Sequence, residues 1–225
     1  MRMILAWITA AALAATLAAQ VASEANSGYK TEQQRQTVAK GLGDPGREET
    51  LKPGVLIREM GVQPGMTVAD VGTGVGYMLP FLSRRVGPDG KVIAEDIFDD
   101  FLSAAQQRAA EMALANVTFV KGTDTDPKLP EGKVDMVLVL DVYHHFDYPD
   151  KMLANIRRAL SPSGKLVVVE YYKRPTAMGG RATAHIRLDM PDLIKELESN
   201  HFHLLEEKEH IRNVQYMLIL DRSEQ

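Results

Sequence analysis

The residues with the clearest chemical potential lie in a glycine-rich turn that follows a short apolar segment. Val68 to Val71 is short and rich in β-branched residues, which predicts a buried parallel strand. Gly72, Gly74 and Gly76 follow at alternate positions, and they let the backbone turn tightly and a ligand approach where a Cβ atom would clash. Asp70 offers a carboxylate to a ligand that carries positive charge. The segment therefore predicts a nucleoside-binding turn.

Tyr77 argues against a dinucleotide at this turn. The dinucleotide fingerprint requires a third glycine at the position that Tyr77 occupies, so tight packing of a pyrophosphate on the helix start is disfavoured. An NAD(P)-dependent oxidoreductase stays open as an alternative hypothesis, because dinucleotide sites use a similar strand and turn.

The run from Asp70 to Gly76 resembles the first motif of the class I S-adenosylmethionine-dependent methyltransferases. The resemblance extends from about Arg47 to the C-terminus, and the Leu-x-Pro-x-Gly turn that begins at Leu160 is also similar to that family. S-adenosylmethionine carries an ammonium and a sulfonium group, which suit the carboxylate of Asp70. The resemblance implies a Rossmann-like fold, S-adenosylmethionine as cofactor and a small-molecule methyl acceptor.

Three further acids are candidate cofactor ligands. Asp96 ends the second predicted strand and can accept hydrogen bonds from both ribose hydroxyls, because a carboxylate has acceptors only. Its alternative role is to cap the following helix, and its neighbour Glu95 is expected to point to the opposite face. The resemblance places Asp124 near the adenine amino group, with loop capping as the alternative, and Asp141 near the methionine portion.

The segment after the fourth predicted strand carries the candidate catalytic residues. The resemblance implies that the transferable methyl group and the nucleophile meet beside this strand end. His144 and His145 are the candidates for general base, with His144 preferred, because neutral imidazole can take a proton from a hydroxyl or an amine. Tyr143 is predicted to form a pocket wall. In the alternative, one histidine caps the turn and the other packs in the sheet.

The residue pattern predicts no bound metal. Adjacent histidines on a strand point to opposite faces, which makes them poor ligands for one ion. The resemblance places Asp141 where catechol-type methyltransferases keep one magnesium ligand, but this chain has Glu170-Tyr171-Tyr172 where those enzymes need an Asp-Asn pair. His201 and His203 have the spacing of a surface metal site, although a polar helix-to-strand turn explains them better.

Two segments outside the strand ends are expected to border the ligands. Residues 26–52 are predicted to form a helical extension or lid, and the resemblance implies that Arg47, Glu48 and Lys52 close over the cofactor. The segment after the fifth predicted strand supplies candidates for the acceptor pocket: Tyr171, Tyr172, Arg174, His185 and Arg187.

Alternating strands and helices must position these residues. Five strands separated by helices predict, over 53–225, an α/β domain with a Rossmann-like, doubly wound and mostly parallel sheet. His203 to Glu207 and Gln215 to Leu220 predict a C-terminal antiparallel strand pair, and Asp99 to Ala115 predicts a helix. Ligands in such sheets bind at the carboxyl ends of the strands, near the point where strand order reverses.

Composition excludes several classes of function. The chain has 225 residues, a net charge of -4 and no cysteine, and its isoelectric point is about 5.9. The negative charge and the absence of a dense Lys/Arg stripe argue against a nucleic-acid partner. Without cysteine the chain has no disulfide, thiolate metal site or cysteine nucleophile. The resemblance therefore does not extend to arsenic-type methyltransferases, which rely on cysteine thiols.

Residues 1–25 have the layout of a secretory signal. Arg2 precedes an apolar, alanine-rich run from Met3 to Ala19, and small residues follow through Ala25. We expect cleavage between Ala19 and Ala25, a periplasmic or secreted protein and no stable membrane association afterwards; an uncleaved anchor is the second choice. Because S-adenosylmethionine is made in the cytoplasm, a non-catalytic exported nucleoside-binding module is a further alternative.

Overall fold

The computed structural model describes residues 22–222. Residues 1–21, which hold most of the predicted signal, and residues 223–225 of the predicted domain lie outside the described part. Between residues 22 and 222, no helix is both long and apolar enough to cross a membrane.

A single sheet of seven strands organises the chain, in the order β3-β2-β1-β4-β5-β7-β6. The strands are β1 (Thr67–Val71), β2 (Lys91–Asp96), β3 (Val117–Lys121), β4 (Val134–Leu140), β5 (Leu160–Tyr171), β6 (Phe202–Ile211) and β7 (Gln215–Arg222). Strands β1 to β5 run parallel, and β7 pairs antiparallel with both β5 and β6. This confirms the predicted fold class, and it places the reversal of strand order between β1 and β4.

Helices cover both faces of the sheet and the entrance to its carboxyl edge. They are α1 (Glu32–Leu42), α2 (Arg47–Leu51), α3 (Pro53–Met60), α4 (Leu79–Val86), α5 (Asp99–Glu111), α6 (Pro149–Ala159), α7 (Ala182–His185) and α8 (Met190–Ser199). Short 3-10 turns occupy Asn26–Tyr29, Tyr143–His145 and Met178–Gly180. Helix α3 begins at a proline and ends before a glycine, as the sequence predicts.

Helix α5 is shorter than the sequence predicts. Helix α5 ends at Glu111 rather than Ala115, because Ala113 has a φ of 51° that stops the helix. Met112, which follows the last residue of the helix, is 48% exposed. Strand β5 begins at Leu160, because its pairing with β4 continues to that residue across a register shift.

Both faces of the central strands are buried, as a parallel sheet requires. Along β1, Val68 packs in the apolar cluster with Leu79 and Leu82 of α4, while its neighbour Ala69 packs in the cluster with Leu153 of α6. Burial on two sides holds the strand ends rigidly, and therefore fixes the turns that leave their carboxyl edge.

Candidate active site

A cavity of about 440 Å³ opens at the carboxyl ends of β1, β2 and β4, at the point where strand order reverses. This volume lies in the range typical of small-molecule sites. Its floor is the turn after β1, one wall follows β2, another follows β4, and the N-terminal segment covers it. The lining includes Asp70, Gly72, Gly74, Asp96, Phe98, Asp124, Asp141, His145 and Phe146.

The glycine turn after β1 has the conformation that its sequence predicts. Gly72 and Gly74 have φ values of 72° and 55°, in the left-handed region that side chains rarely adopt. The Gly74 amide donates a hydrogen bond to Asp96 Oδ2 at 2.9 Å, which ties the turn to the end of β2. Gly76, predicted to bind the cofactor, lies outside the cavity lining: a Cβ atom there would meet Leu79 and Ala105, so this glycine permits close helix packing.

Two buried carboxyl groups face the cavity from β1 and β2. Asp70 is 3% exposed and accepts a hydrogen bond from the Thr73 hydroxyl at 2.7 Å. Burial raises the pKa of Asp70 to about 6. Burial also raises the pKa of Asp96 to about 6, although the amides of Phe98 and Gly74 donate to it. Acids with raised pKa values gain most from a ligand that brings positive charge or hydroxyl donors.

Glu95 reaches the cavity as well. Alternation along the strand predicts that it points to the opposite face from Asp96, and that prediction is wrong. Glu95 Oε2 accepts a hydrogen bond from the Gly72 amide at 3.2 Å, and Glu95 and Asp96 both line the cavity. Within the described part of the chain, Glu95 Oε1 is buried without a hydrogen-bond partner. Burial raises the pKa of Glu95 well above its ordinary value. The long glutamate side chain curls back under the turn, which alternation along a strand does not anticipate.

Asp141 closes the other side of the cavity, immediately after β4. Its φ of 55° is unusual for a residue with a side chain, and such strain concentrates at functional sites. Asp141 Oδ1 accepts a hydrogen bond from Gln215 Nε2 at 2.7 Å. Burial, and then the carboxylate of Glu170, raise the pKa of Asp141 to about 7. Gln215 lies at the start of β7, and only the antiparallel pairing of β7 with β5 brings it here.

The two candidate histidines have different surroundings. His144 is 3% exposed and its Nδ1 donates to Glu170 Oε2 at 2.7 Å, a bond that raises its pKa against the effect of burial. His145 lines the cavity, and burial lowers its pKa well below the ordinary value, which keeps the ring neutral. The geometry therefore reverses the preference: His145 faces the ligand space and His144 packs behind it.

The hydrogen bonds of Asn26 set the tautomer of His145. The Asn26 amide nitrogen donates to the His145 carbonyl oxygen at 3.1 Å and to Asp147 Oδ2 at 3.3 Å. Its Oδ1 therefore accepts from His145 Nδ1, 2.7 Å away. The proton lies on Nδ1, and Nε2 keeps the lone pair that a base requires.

The prediction that Tyr143 forms a pocket wall is wrong. The Tyr143 hydroxyl donates to Glu196 Oε1 at 2.6 Å, and Arg187 pairs with the same carboxylate. Within the described residues, none of the other candidates for the acceptor pocket lines the cavity: Tyr171, Tyr172, Arg174, His185 and Arg187. Arg174 instead stacks over Tyr172, with its guanidinium carbon 4.0 Å from the ring centre.

The sequence-based argument against a metal assumed that His144 and His145 lie on a strand, and that assumption is wrong. His144 and His145 follow β4 on a 3-10 turn rather than lying on the strand, so their rings do not alternate between faces. The ring centres are 4.1 Å apart. Both rings approach His185, at 4.8 Å and 5.4 Å between centres.

The N-terminal segment forms part of the cavity lining. Arg35 Nε pairs with Asp100 Oδ2 at 2.8 Å, and Tyr29 stacks on Phe98 with ring centres 6.0 Å apart. Leu42 covers the turn, because a Cβ atom on Gly74 would lie 3.0 Å from its Cδ1. Asn26, Tyr29 and Leu42 are site residues that sequence reasoning missed, since neither residue type nor spacing connects them to the strand ends.

Of the three residues predicted to close over the cofactor, Arg47 approaches the buried acids. Burial raises the pKa values of Asp70 and Asp141, and the charge of Arg47 partly offsets that rise. The Arg47 guanidinium carbon lies 4.7 Å from the Tyr77 ring centre, and Arg47 lines the cavity. Among the described residues that line the cavity, Glu48 and Lys52 do not appear. The predicted adenine ligand Asp124 lines the cavity and is exposed.

Comparison with known proteins decides the family. The family profile described as a methyltransferase domain matches residues 62–219, which cover the sheet and the glycine turn. This chain is a class I S-adenosylmethionine-dependent methyltransferase. The match gives no support to an NAD(P)-dependent oxidoreductase.

The methyltransferase is similar to curated and solved relatives. It is 29% identical over 123 residues to the ubiquinone/menaquinone biosynthesis C-methyltransferase UbiE of Pseudomonas putida, which covers 54% of this chain and 48% of that protein. The match therefore spans about half the length of this curated relative. A solved S-adenosylmethionine-dependent methyltransferase from Aquifex aeolicus has a TM-score of 0.76 and 28% identity, covering 82% of this chain and 96% of that one.

A second solved structure shows how widely this architecture is used. The [4+2]-cyclase SpnF has a TM-score of 0.65 and 16% identity, and the match covers 76% of the methyltransferase and 79% of the cyclase. At this identity the likeness shows the fold alone.

The cavity suits S-adenosylmethionine. Left-handed φ values at Gly72 and Gly74 leave the backbone bare where a Cβ atom would clash. Asp70 would hold the ammonium group, since its buried carboxyl group faces the cavity and forms no direct salt bridge among the described residues. Asp96 would hold the ribose hydroxyls, and Phe98 would contact the nucleoside beside it. The residues present therefore fit the cofactor that the family uses.

We expect Asp96→Ala to weaken binding of S-adenosylhomocysteine by ~1.5 to 3 kcal/mol, the scale for hydrogen bonds to a charged group. Asp96→Asn is the matched variant, because it keeps the shape and one acceptor for the Gly74 amide. Titration calorimetry measures both dissociation constants. Affinity unchanged in Asp96→Ala would assign Asp96 to capping the turn before α5.

We expect Asp70→Asn to stabilise the ligand-free protein above pH 6 and to weaken cofactor binding. The folded pKa of Asp70, about 6, is above its unfolded value, so its charged form costs stability at high pH. The advantage of the asparagine variant is therefore full above pH 6 and disappears as pH falls to ~4. Melting temperatures of both proteins between pH 8 and pH 4 measure the difference, and a gap that widens in acid contradicts the assignment.

Proposed function

We propose that this methyltransferase transfers the methyl group of S-adenosylmethionine to a small-molecule acceptor that enters the cavity beside His145. One observation carries the proposal: a single cavity has Asp70, Gly74 and Asp96 on its β1 and β2 side and His145 on its β4 side. The first group suits the cofactor, and the imidazole suits a proton-bearing acceptor.

His145 is the proposed proton acceptor. Bound S-adenosylmethionine supplies an electrophilic methyl group on a positively charged sulfur. As the acceptor atom bonds to the methyl carbon, the carbon–sulfur electron pair stays on sulfur and the acceptor proton passes to His145 Nε2. Holding the reactants in position supplies up to ~7 to 11 kcal/mol, and the general base adds ~10² to 10⁴ in rate.

The proposed acceptor class is a phenol or hydroquinone. Val142, Phe146 and Met152 give the β4 side of the cavity an apolar surface, which suits an aromatic ring, and His145 beside them suits its hydroxyl group. Loss of a hydroxyl proton raises the nucleophilicity of both the oxygen and the ring carbons. Methylation at oxygen ends with this transfer, whereas methylation at carbon also requires the proton on that ring carbon to leave and the oxygen to be protonated again. The name of the curated C-methyltransferase relative points to carbon.

The test incubates the purified protein with S-adenosylmethionine and candidate phenols, hydroquinones and amines, and measures S-adenosylhomocysteine release together with product mass. We expect turnover with a hydroxylated aromatic and none without an acceptor. Turnover with amines alone would overturn the acceptor class. Tight cofactor binding without turnover on any acceptor would favour the non-catalytic nucleoside-binding module.

We also propose export, with cleavage of the signal before residue 22. Arg2 and the apolar run after it support export. Packing supports this cleavage site, because Ala22 and Ala25 are buried and Ser23 and Asn26 line the cavity. Sequencing the N-terminus of the protein from the periplasmic fraction of a Gram-negative host measures the site. An intact Met1 on a cytoplasmic protein would overturn the proposal.

A further inference from the structure

Three histidines from two separate segments meet behind the β4 side of the cavity, and of the three only His145 lines the cavity. His144 and His145 lie on the turn after β4, and His185 ends helix α7. One ring nitrogen from each lies within 4.8 Å of the other two. Three imidazole nitrogens bound to one zinc ion are about 3.3 Å apart, given zinc–nitrogen bonds of about 2.0 to 2.1 Å. The nitrogens would therefore have to approach one another by up to ~1.5 Å to share one ion.

Outer hydrogen bonds orient two of the three rings for metal binding. His144 Nδ1 donates to Glu170 Oε2 at 2.7 Å, and His145 Nδ1 donates to Asn26 Oδ1 at 2.7 Å. Each bond leaves Nε2 with its lone pair directed away from the partner. A carboxylate or amide behind a ligating histidine is the usual support of protein metal sites.

The third ring has no competing partner. Within residues 22–222, no hydrogen bond or ion pair involves the side chain of His185, which is half-buried. Two of the rings are held by outer partners and the third is unpaired among the described residues, so the cluster is arranged to take a cation.

We propose that His144, His145 and His185 bind one first-row divalent transition ion, of which Zn²⁺ is the probe of choice. The all-nitrogen ligand set suits zinc, copper, nickel and cobalt rather than the oxygen-bound magnesium or calcium. Three protein ligands leave a fourth position, on the side where His145 lines the cavity. This replaces the expectation from the sequence that the chain binds no metal.

The ion and the proposed proton transfer compete for one atom. Both use the Nε2 lone pair of His145, so a bound ion removes the base. We therefore expect Zn²⁺ to slow turnover, and this consequence rests on the proposed function, whereas metal binding does not. Faster turnover with Zn²⁺ would contradict His145 as base and leave the metal site intact.

The experiment titrates chelator-treated full protein with Co²⁺, followed by visible absorption, and then with Zn²⁺ against a chromophoric chelator. We expect one equivalent to bind, a tetrahedral cobalt spectrum, and at least ~100-fold weaker binding in His185→Gln. Glu170→Gln is expected to weaken binding by ~10 to 100-fold, the usual effect of removing an outer partner.

His203→Gln is the matched control. His203 is exposed and pairs with Asp221 at the far end of β7, so the variant removes the alternative surface pair with His201 and leaves the cluster intact. If the His185→Gln variant keeps its melting temperature and binds the ion as tightly as the wild type, the proposal is overturned. Loss of binding in His203→Gln alone would assign the ion to the surface pair.

Discussion

Gly74→Val is expected to lower affinity for S-adenosylmethionine by at least ~100-fold while the domain stays folded. The φ of Gly74 is 55°, where a β-branched residue is strained by ~1 to 3 kcal/mol. The new side chain also meets Leu42 Cδ1 at 3.0 Å from its Cβ atom, at the place where the cofactor would lie. Titration calorimetry measures the affinity.

Gly132→Val separates backbone strain from occlusion of the cavity. Gly132 has a φ of 65° and open space around an added Cβ atom, and it precedes β4 at the opposite edge of the sheet. The Gly132→Val variant should lose a similar amount of stability and keep its affinity for the cofactor. Wild-type affinity in Gly74→Val would instead move the cofactor site away from the glycine turn.

His145→Gln is expected to lower the rate of the chemical step by ~10² or more, with cofactor affinity nearly unchanged. Glutamine can keep the hydrogen bond to Asn26 but cannot take the acceptor proton. Single-turnover measurement at saturating acceptor reports the step, and calorimetry reports the affinity. His203→Gln, exposed and remote, should retain wild-type turnover.

His144→Gln tests whether burial distinguishes the two histidines. Because His144 packs behind His145 and donates to Glu170, we expect a smaller loss of rate than in His145→Gln. A larger loss in His144→Gln at an equal melting temperature would return the role of base to His144. Normal turnover in both variants would mean that positioning alone suffices for methyl transfer.

Local chemistry explains what the sequence predicts well. An apolar β-branched run followed by alternate glycines specifies a buried strand and a left-handed turn wherever it occurs, and Gly72 and Gly74 have those conformations. Pro53 and Gly61 bound α3 for equally local reasons. Asp70, Asp96 and Asp141 line the cavity, because the carboxyl ends of parallel strands always share one edge.

Chain segments far apart in sequence determine the rest. Asn26 sets the tautomer of His145 across 119 positions, and Gln215 reaches Asp141 across 74. Which of two adjacent histidines faces the ligand depends on a 3-10 turn whose form is set by packing against Glu170 and α7. Residue type and local spacing determined the fold class and the cofactor cradle, because backbone sterics and hydrophobic periodicity act over a few residues. Only the tertiary structure decided the acceptor side and the histidine cluster, because burial and hydrogen-bond partners arise when distant segments meet.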